Sequence, residues 1–215
     1  MTLLQNISAS IQEGNVRQTE DLVVQALKKD LPPFEILKEG LADGMIKTEK
    51  RFFKNEILDS DLLIAEWAMK TGLQILMPVL QKEQSSFLGT VITGTLEGEI
   101  RETGKDILAC LMQGQGLKVI DLGASVPNVR FVEAAIEEKA EIIACTTALT
   151  VFMPQMKSLV QAADQVCIRG KTKILLSGGP VTKWFCKTID ADMYAPGPVR
   201  AAEIAVEFCK KIGGK

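Results

Sequence analysis

After residue 88 the chain repeats one theme: an apolar run of strand length, a loop rich in glycine or threonine, then a stretch of helical periodicity. The runs are Leu88–Ile92, Leu117–Asp121, Glu141–Thr146, Thr172–Leu176 and Ala191–Tyr194. Helices are predicted over Thr103–Gln115, Asn128–Lys139, Met153–Arg169, Val181–Thr188 and Pro198–Ile212. Strands alternating with helices of this length require right-handed crossovers and a parallel sheet covered on both faces.

Five such units predict an α/β, doubly wound, five-stranded parallel sheet of flavodoxin-like order 2-1-3-4-5. In open sheets of this kind a ligand sits beyond the carboxyl ends of the strands, where the strand order reverses. The loops concerned are Gly94–Glu102 and Thr147–Phe152, flanked by the turn Ser177-Gly178-Gly179-Pro180. Each alone is an ordinary turn, but three such segments converging on one sheet edge favour a site.

Residues 1 to about 84 carry helical spacing only, so an N-terminal helical bundle is predicted to precede the sheet. Thr19-Glu20-Asp21 resembles a cap for Leu22–Lys28, and Pro32-Pro33 separates it from a helix over Phe34–Met45. Asp59-Ser60-Asp61 caps a long helix, Leu62–Met77, that ends before Pro78. Leu63, Trp67, Met69, Leu73 and Leu76 are assigned to the bundle core. Polar Lys82–Ser86 is the predicted linker, which divides the chain into domains at 1–84 and 88–215.

Composition excludes several functions. With 25 basic and 27 acidic residues, the 215-residue chain has no field that would draw nucleic acid or an anionic membrane surface. The longest apolar run, Ile142–Met153, is too short to span a bilayer. The N-terminus lacks a basic region before an apolar core, and Cys110, Cys145, Cys167, Cys186 and Cys209 form no C-x-x-C pair. A reducing cytoplasm is expected. The chain contains no histidine, which removes the usual general base, the commonest metal ligand and any Ser/His or Cys/His pair.

The loop after the first strand imitates two phosphate motifs and satisfies neither. Gly98 and Gly104 before Lys105 are one residue too far apart for a Walker loop, and Asp106 stands where a Ser or Thr would bind magnesium. No G-x-G-x-x-G follows the strand.

A different family fits. Gly98-Glu99-Ile100-Arg101-Glu102-Thr103-Gly104-Lys105 resembles the Gly-Asp-x-His-Asp-x-Gly-Lys loop of the corrinoid proteins of methyltransferase systems. Asp121-Leu122-Gly123-Ala124-Ser125-Val126-Pro127 is similar to their Asp-Leu-Gly-x-Asp-Val-Pro segment. Thr146-Thr147-Ala148-Leu149-Thr150 falls on their Ser-x-Leu region, with Thr146 in the serine position and Ala148 in that of the leucine. Ser177-Gly178-Gly179 falls on their Gly-Gly turn, and Tyr194-Ala195 on their last strand. Gly40-Leu41-x-x-Gly44-Met45 and Phe53-x-Asn55-Glu56 fit the helical cap, so the resemblance covers nearly the whole chain.

The resemblance implies a cobalamin (corrinoid) cofactor held by Gly98, Glu99, Ile100, Arg101, Glu102, Thr103, Gly104, Thr146, Ala148, Leu149, Thr150, Ser177, Gly178, Gly179, Tyr194 and Ala195. In that family the loop histidine is the lower ligand to cobalt, and the aspartate two positions before it supports it. Here those positions are Arg101 and Glu99. Guanidinium has no lone pair to offer a metal, so cobalamin would be bound base-on or with water below. Arg101 could contact the tail phosphate or a propionamide, or pair with Glu99 or Glu102. Ser177 stands for a glycine beside the tail channel, and Gly197 where an acidic residue often follows.

Three functions follow: a methyl carrier serving partner methyltransferase subunits; a reserve, delivery or sensing protein for corrinoid; or a cofactor-free interaction subunit. A carrier would hold no complete active site of its own.

Overall fold

In a computed structural model of the chain, which describes residues 2–82 and 87–213, two compact units are formed, Met1–Glu83 and Gln84–Lys215. The predicted linker falls largely on 83–86, outside the described residues.

The first unit is helical. Its elements are α1 (Leu3–Gln12), α2 (Val16–Lys28), the single turn α3 (Pro33–Glu35), a π-helix (Ile36–Ala42), α4 (Asp43–Phe53) and α5 (Asp59–Lys82). Helix α1 opens with a capping box: Thr2 accepts from the Gln5 N–H while the Gln5 side chain accepts from the Thr2 N–H. Asn15, not Thr19, caps α2, and Thr19 is buried with its hydroxyl bonded to the Asn15 carbonyl. The predicted helix over Phe34–Met45 is a π-helix over much of its length.

The Gly40/Gly44 spacing is explained by packing. A Cβ on Gly44 would stand 2.7 Å from both Ile11 Cβ and the Ser8 carbonyl, so α1 can approach α4 only where no side chain intervenes. Helix α5 does not stop at Pro78 but runs through it, carrying Leu80 into the core. Its buried stripe is Leu62, Ala65, Met69, Leu73 and Leu76. Leu63 and Trp67, assigned to the core by spacing, lie on the outer side at 53% and 68% exposure.

The second unit is a five-stranded parallel sheet of order β2-β1-β3-β4-β5. The strands are β1 (Thr90–Thr93), β2 (Lys118–Asp121), β3 (Ile142–Thr146), β4 (Lys173–Ser177) and β5 (Met193–Ala195). The helices are α6 (Thr103–Gly114), α7 (Asn128–Glu137), α8 (Met153–Gln165), α9 (Lys183–Thr188) and α10 (Pro198–Gly213). This is the predicted doubly wound, flavodoxin-like α/β fold. The helix expected to reach Arg169 ends at Gln165, because Cys167 turns left-handed (φ 56°) and a separate 3-10 turn, Ile168–Gly170, follows.

Alternation along the strands divides the side chains between two layers. Ile92, Ile143, Cys145, Ile174 and Leu176 pack with Phe131, Val132, Met156, Leu159 and Cys186 of α7, α8 and α9. The opposite face, with Ala144, Leu175 and Ser177, is covered by α6 and α10. Both faces being covered, the carboxyl edge is where loops can present polar groups.

Candidate functional site

The first strand hands the chain to its loop at Thr93. Beyond it, Thr95 N–H donates to the Gly123 carbonyl (3.0 Å) and Val126 N–H to the Thr95 carbonyl (3.0 Å), tying the loops after β1 and β2. Gly98 turns at φ +87°, and its N–H donates to Ser125 Oγ at 2.9 Å. Ser125 N–H in turn approaches the Glu99 carbonyl (3.1 Å) and Thr95 Oγ1 (2.8 Å). The Thr95 hydroxyl also donates to the Glu99 carbonyl. The β1 loop is therefore fixed on both sides of Glu99.

Those contacts drive the Glu99 side chain inward, to 2% exposure. Its Oε1 accepts the Thr147 hydroxyl at 2.8 Å, while Oε2 has no partner among the described residues. Burial raises the Glu99 pKa from the ordinary carboxylate value; the Thr147 hydroxyl, the Ala148 N–H and the Arg101 charge work against that rise. Ile100, the next residue, is 80% exposed, and Val151 in the β3 loop is 69% exposed.

Lys105 anchors the loop's far end. It lies one turn into α6 at 1% exposure, with Nζ 2.8 Å from Asp106 Oδ1, 3.1 Å from Glu102 Oε2, and bonded to Asp121 Oδ2. Burial opposes its charge, but the Asp106 and Asp121 carboxylates outweigh burial and hold the ammonium above its ordinary range. Asp121 Oδ1 also accepts from Gly123 N–H (2.9 Å). This chain of contacts ties the helix start to the β2 loop and so fixes where residues 98–104 run.

The predicted site residues all lie at the carboxyl edge. Thr103 starts α6, and a Cβ on Gly104 would meet Thr146 Cγ2 at 3.4 Å. Thr146 ends β3, Ala148 and Leu149 follow, and Thr150 opens a short 3-10 turn, Thr150–Phe152. Ser177 ends β4, fully buried, with no partner for its hydroxyl among the described residues. Gly178 lies so close to the β3 loop that a Cβ there would stand 1.9 Å from the Thr147 carbonyl. Gly179 follows in the turn, and Tyr194 and Ala195 pair with Leu176 and Ser177.

The sequence frame puts Thr146 in the serine position, while in the structure Glu99 takes its hydroxyl partner from Thr147, which sequence reasoning did not single out. Shifted by one residue, Thr147-Ala148-Leu149 supplies a hydroxyl-x-Leu pattern with its leucine intact, a signal present in the sequence. Lys105, Asp121 and Ser125 also belong to the constellation by contact.

Comparison with known proteins shows the family. The B12 binding domain family matches residues 89–205, and a second B12 binding domain family matches residues 3–77. A trimethylamine corrinoid protein of Methanosarcina mazei is 34% identical over 176 residues, 81% of this chain and 82% of its own. The monomethylamine corrinoid protein of Methanosarcina barkeri superposes with a TM-score of 0.82 at 27% identity, over 96% of this chain and 98% of its own. The methanol:cobalamin methyltransferase complex MtaBC from Methanosarcina barkeri contains a chain of like fold (TM-score 0.55, 23% identity, 96% of this chain and 79% of that one). The chain belongs to the family of B12-binding corrinoid proteins.

The residues present fit a corrinoid. Ile100 and Val151 are exposed apolar side chains that would offer contact to a flat macrocycle, and Glu99 Oε2 is a buried carboxyl oxygen with no partner among the described residues. The chain contains no histidine, so it has no imidazole to offer a metal.

Proposed function

We propose that this chain is the corrinoid-binding methyl carrier of a methyltransferase system, holding cobalamin without a nitrogen ligand from the protein. The observation that carries the reading is the Glu99–Thr147 pair. A carboxyl and a hydroxyl persist beneath the loop although the position two residues after Glu99 is Arg101 and the chain has no histidine.

Each residue then has a physical task. Gly98 and Gly104 would let a corrin approach the loop closely, Ile100 and Val151 would offer it apolar surface, and Gly178 leaves the β3 loop room to reach Glu99. Arg101 supplies a fork of N–H donors suited to the tail phosphate or a propionamide oxygen. The cofactor, when bound, would carry the methyl group on cobalt and supply the transfer chemistry. Among the described residues no cluster of His, Cys, Asp and Glu could hold a metal ion, which leaves metal retention to the macrocycle.

The 1–84 region is the proposed helical cap domain and 88–215 the proposed cofactor domain. Partner methyltransferase subunits would bring donor and acceptor; the fold is shared with a chain of a methyltransferase complex, and relatives are named for methylamines. A reducing cytoplasm suits five free thiols, four of them buried. Among the described residues no helix is long and apolar enough to cross a membrane.

The test is transfer. The chain is loaded with methylcobalamin, desalted, and mixed with a corrinoid-dependent methyltransferase and its thiol acceptor. Demethylation of the retained cofactor is the expected result. Retention without demethylation would favour a reserve, delivery or sensing protein, and no retention a cofactor-free subunit.

A further inference from the structure

Glu99 Oε2 is a buried acceptor without a donor, in a side chain only 2% exposed. Native sites leave such an atom unpaired where a ligand completes it. Among the described residues no group donates to it. The Thr147 hydroxyl proton is already given to Oε1, and the Lys105 ammonium is committed to three carboxylates. Arg101 has donors but no lone pair, so it cannot both bind a metal and meet the carboxyl.

We propose that a water lies beneath the corrin in the place an imidazole would occupy, and that it donates a hydrogen bond to Glu99 Oε2. This rests on the corrinoid reading above and deepens it, by naming water rather than the cofactor's own base as the lower-face group. The choice follows from hydrogen-bond inventory. The position needs a group with a lone pair for the metal above and a proton for the carboxyl below. Water has both. The dimethylbenzimidazole of the cofactor has no N–H once its nitrogen faces the metal, so it would leave Oε2 unpaired.

Cobinamide, which lacks the base entirely, and cobalamin itself are the probes. Each is bound to the tag-free chain, reduced to cobalt(II), and recorded by electron paramagnetic resonance in ordinary and ¹⁷O-enriched water. The proposal predicts retention of both corrinoids, line broadening in ¹⁷O water, and no ¹⁴N splitting with cobalamin. Glu99→Gln, near-isosteric and able to keep its bond to Thr147, presents an N–H₂ to the water and should weaken cobinamide retention about tenfold or more. Retained cobalamin with ¹⁴N splitting overturns the water but leaves the corrinoid reading intact. So does unchanged cobinamide affinity in Glu99→Gln. Failure to retain either corrinoid overturns both.

Discussion

The Thr147 hydroxyl donates to Glu99 Oε1 across 2.8 Å, joining the loops after β3 and β1 over a sequence separation of 48 residues. Thr147 N–H meanwhile donates to the Ser177 carbonyl at 3.2 Å, so one residue connects the ends of three strands. Thr147 thus adds a long-range tie to the β1 loop beside those from Ser125 and Lys105.

Thr147→Val keeps the shape and removes the donor, leaving a buried carboxyl with one fewer partner. A hydrogen bond to a carboxyl group of this kind contributes about 1.5–3 kcal/mol, so urea unfolding should show a loss of that order. Thr147→Ser should lose well under half as much. Equal stability of the two variants would show that the hydroxyl does not bear on Glu99.

Lys105→Met should cost about 3–5 kcal/mol, because it leaves Glu102, Asp106 and Asp121 facing one another at the start of α6. Thermal unfolding measures it. The same variant should loosen residues 98–104, seen as faster amide exchange at Gly98 and Glu99. A stable variant with unchanged exchange would mean the loop is positioned without the ammonium.

Gly178 and Gly197 differ sharply although both follow strands. Gly178 sits at φ +122° with the Thr147 carbonyl 1.9 Å from any Cβ, whereas a Cβ on Gly197 meets nothing within 4 Å. Gly178→Ala should therefore lose at least ~2 kcal/mol and Gly197→Ala less than about 0.5 kcal/mol. Comparable losses would contradict the packing of the β4 turn against the β3 loop.

In the helical unit, burial and then the neighbouring Glu66 carboxylate push Glu49 from 4.5 up to about 7. An acid raised by folding takes up its proton more readily in the folded chain. Its stabilisation is full below the unfolded pKa and is lost as pH rises through about 7. Stability of this unit should fall between those values by at most about 3 kcal/mol, and Glu49→Gln should flatten the decline. Parallel pH profiles would contradict it.

The sheet was legible because its signal is local and periodic. All five strands lie within two residues of the apolar runs, and Leu88 still pairs, its N–H on the Gly116 carbonyl at 2.8 Å. The helical unit was less legible, for tertiary reasons. The π-helix Ile36–Ala42 has no composition of its own and follows from close packing at Gly40, where Ile7 stands 3.0 Å from a would-be Cβ. Helix α5 survives Pro78 because Leu76 and Leu80 are buried on either side of it. Helix α1 could have been found: Thr2 and Gln5 spell its capping box. At the site, the motif frame was readable, but whether Thr146 or Thr147 faces Glu99 depends on which way the chain turns after β3.

The central claim is that this chain holds a corrinoid at the carboxyl edge of its sheet without help from any imidazole. Cobalt retained by tag-free protein after methylcobalamin loading and gel filtration tests it most directly. The account predicts about one cobalt per chain, sharply reduced by Gly104→Val, whose side chain would crowd Thr146 at the sheet edge. Protein that emerges free of cobalt, or a Gly104→Val variant that keeps its cobalt, would contradict it.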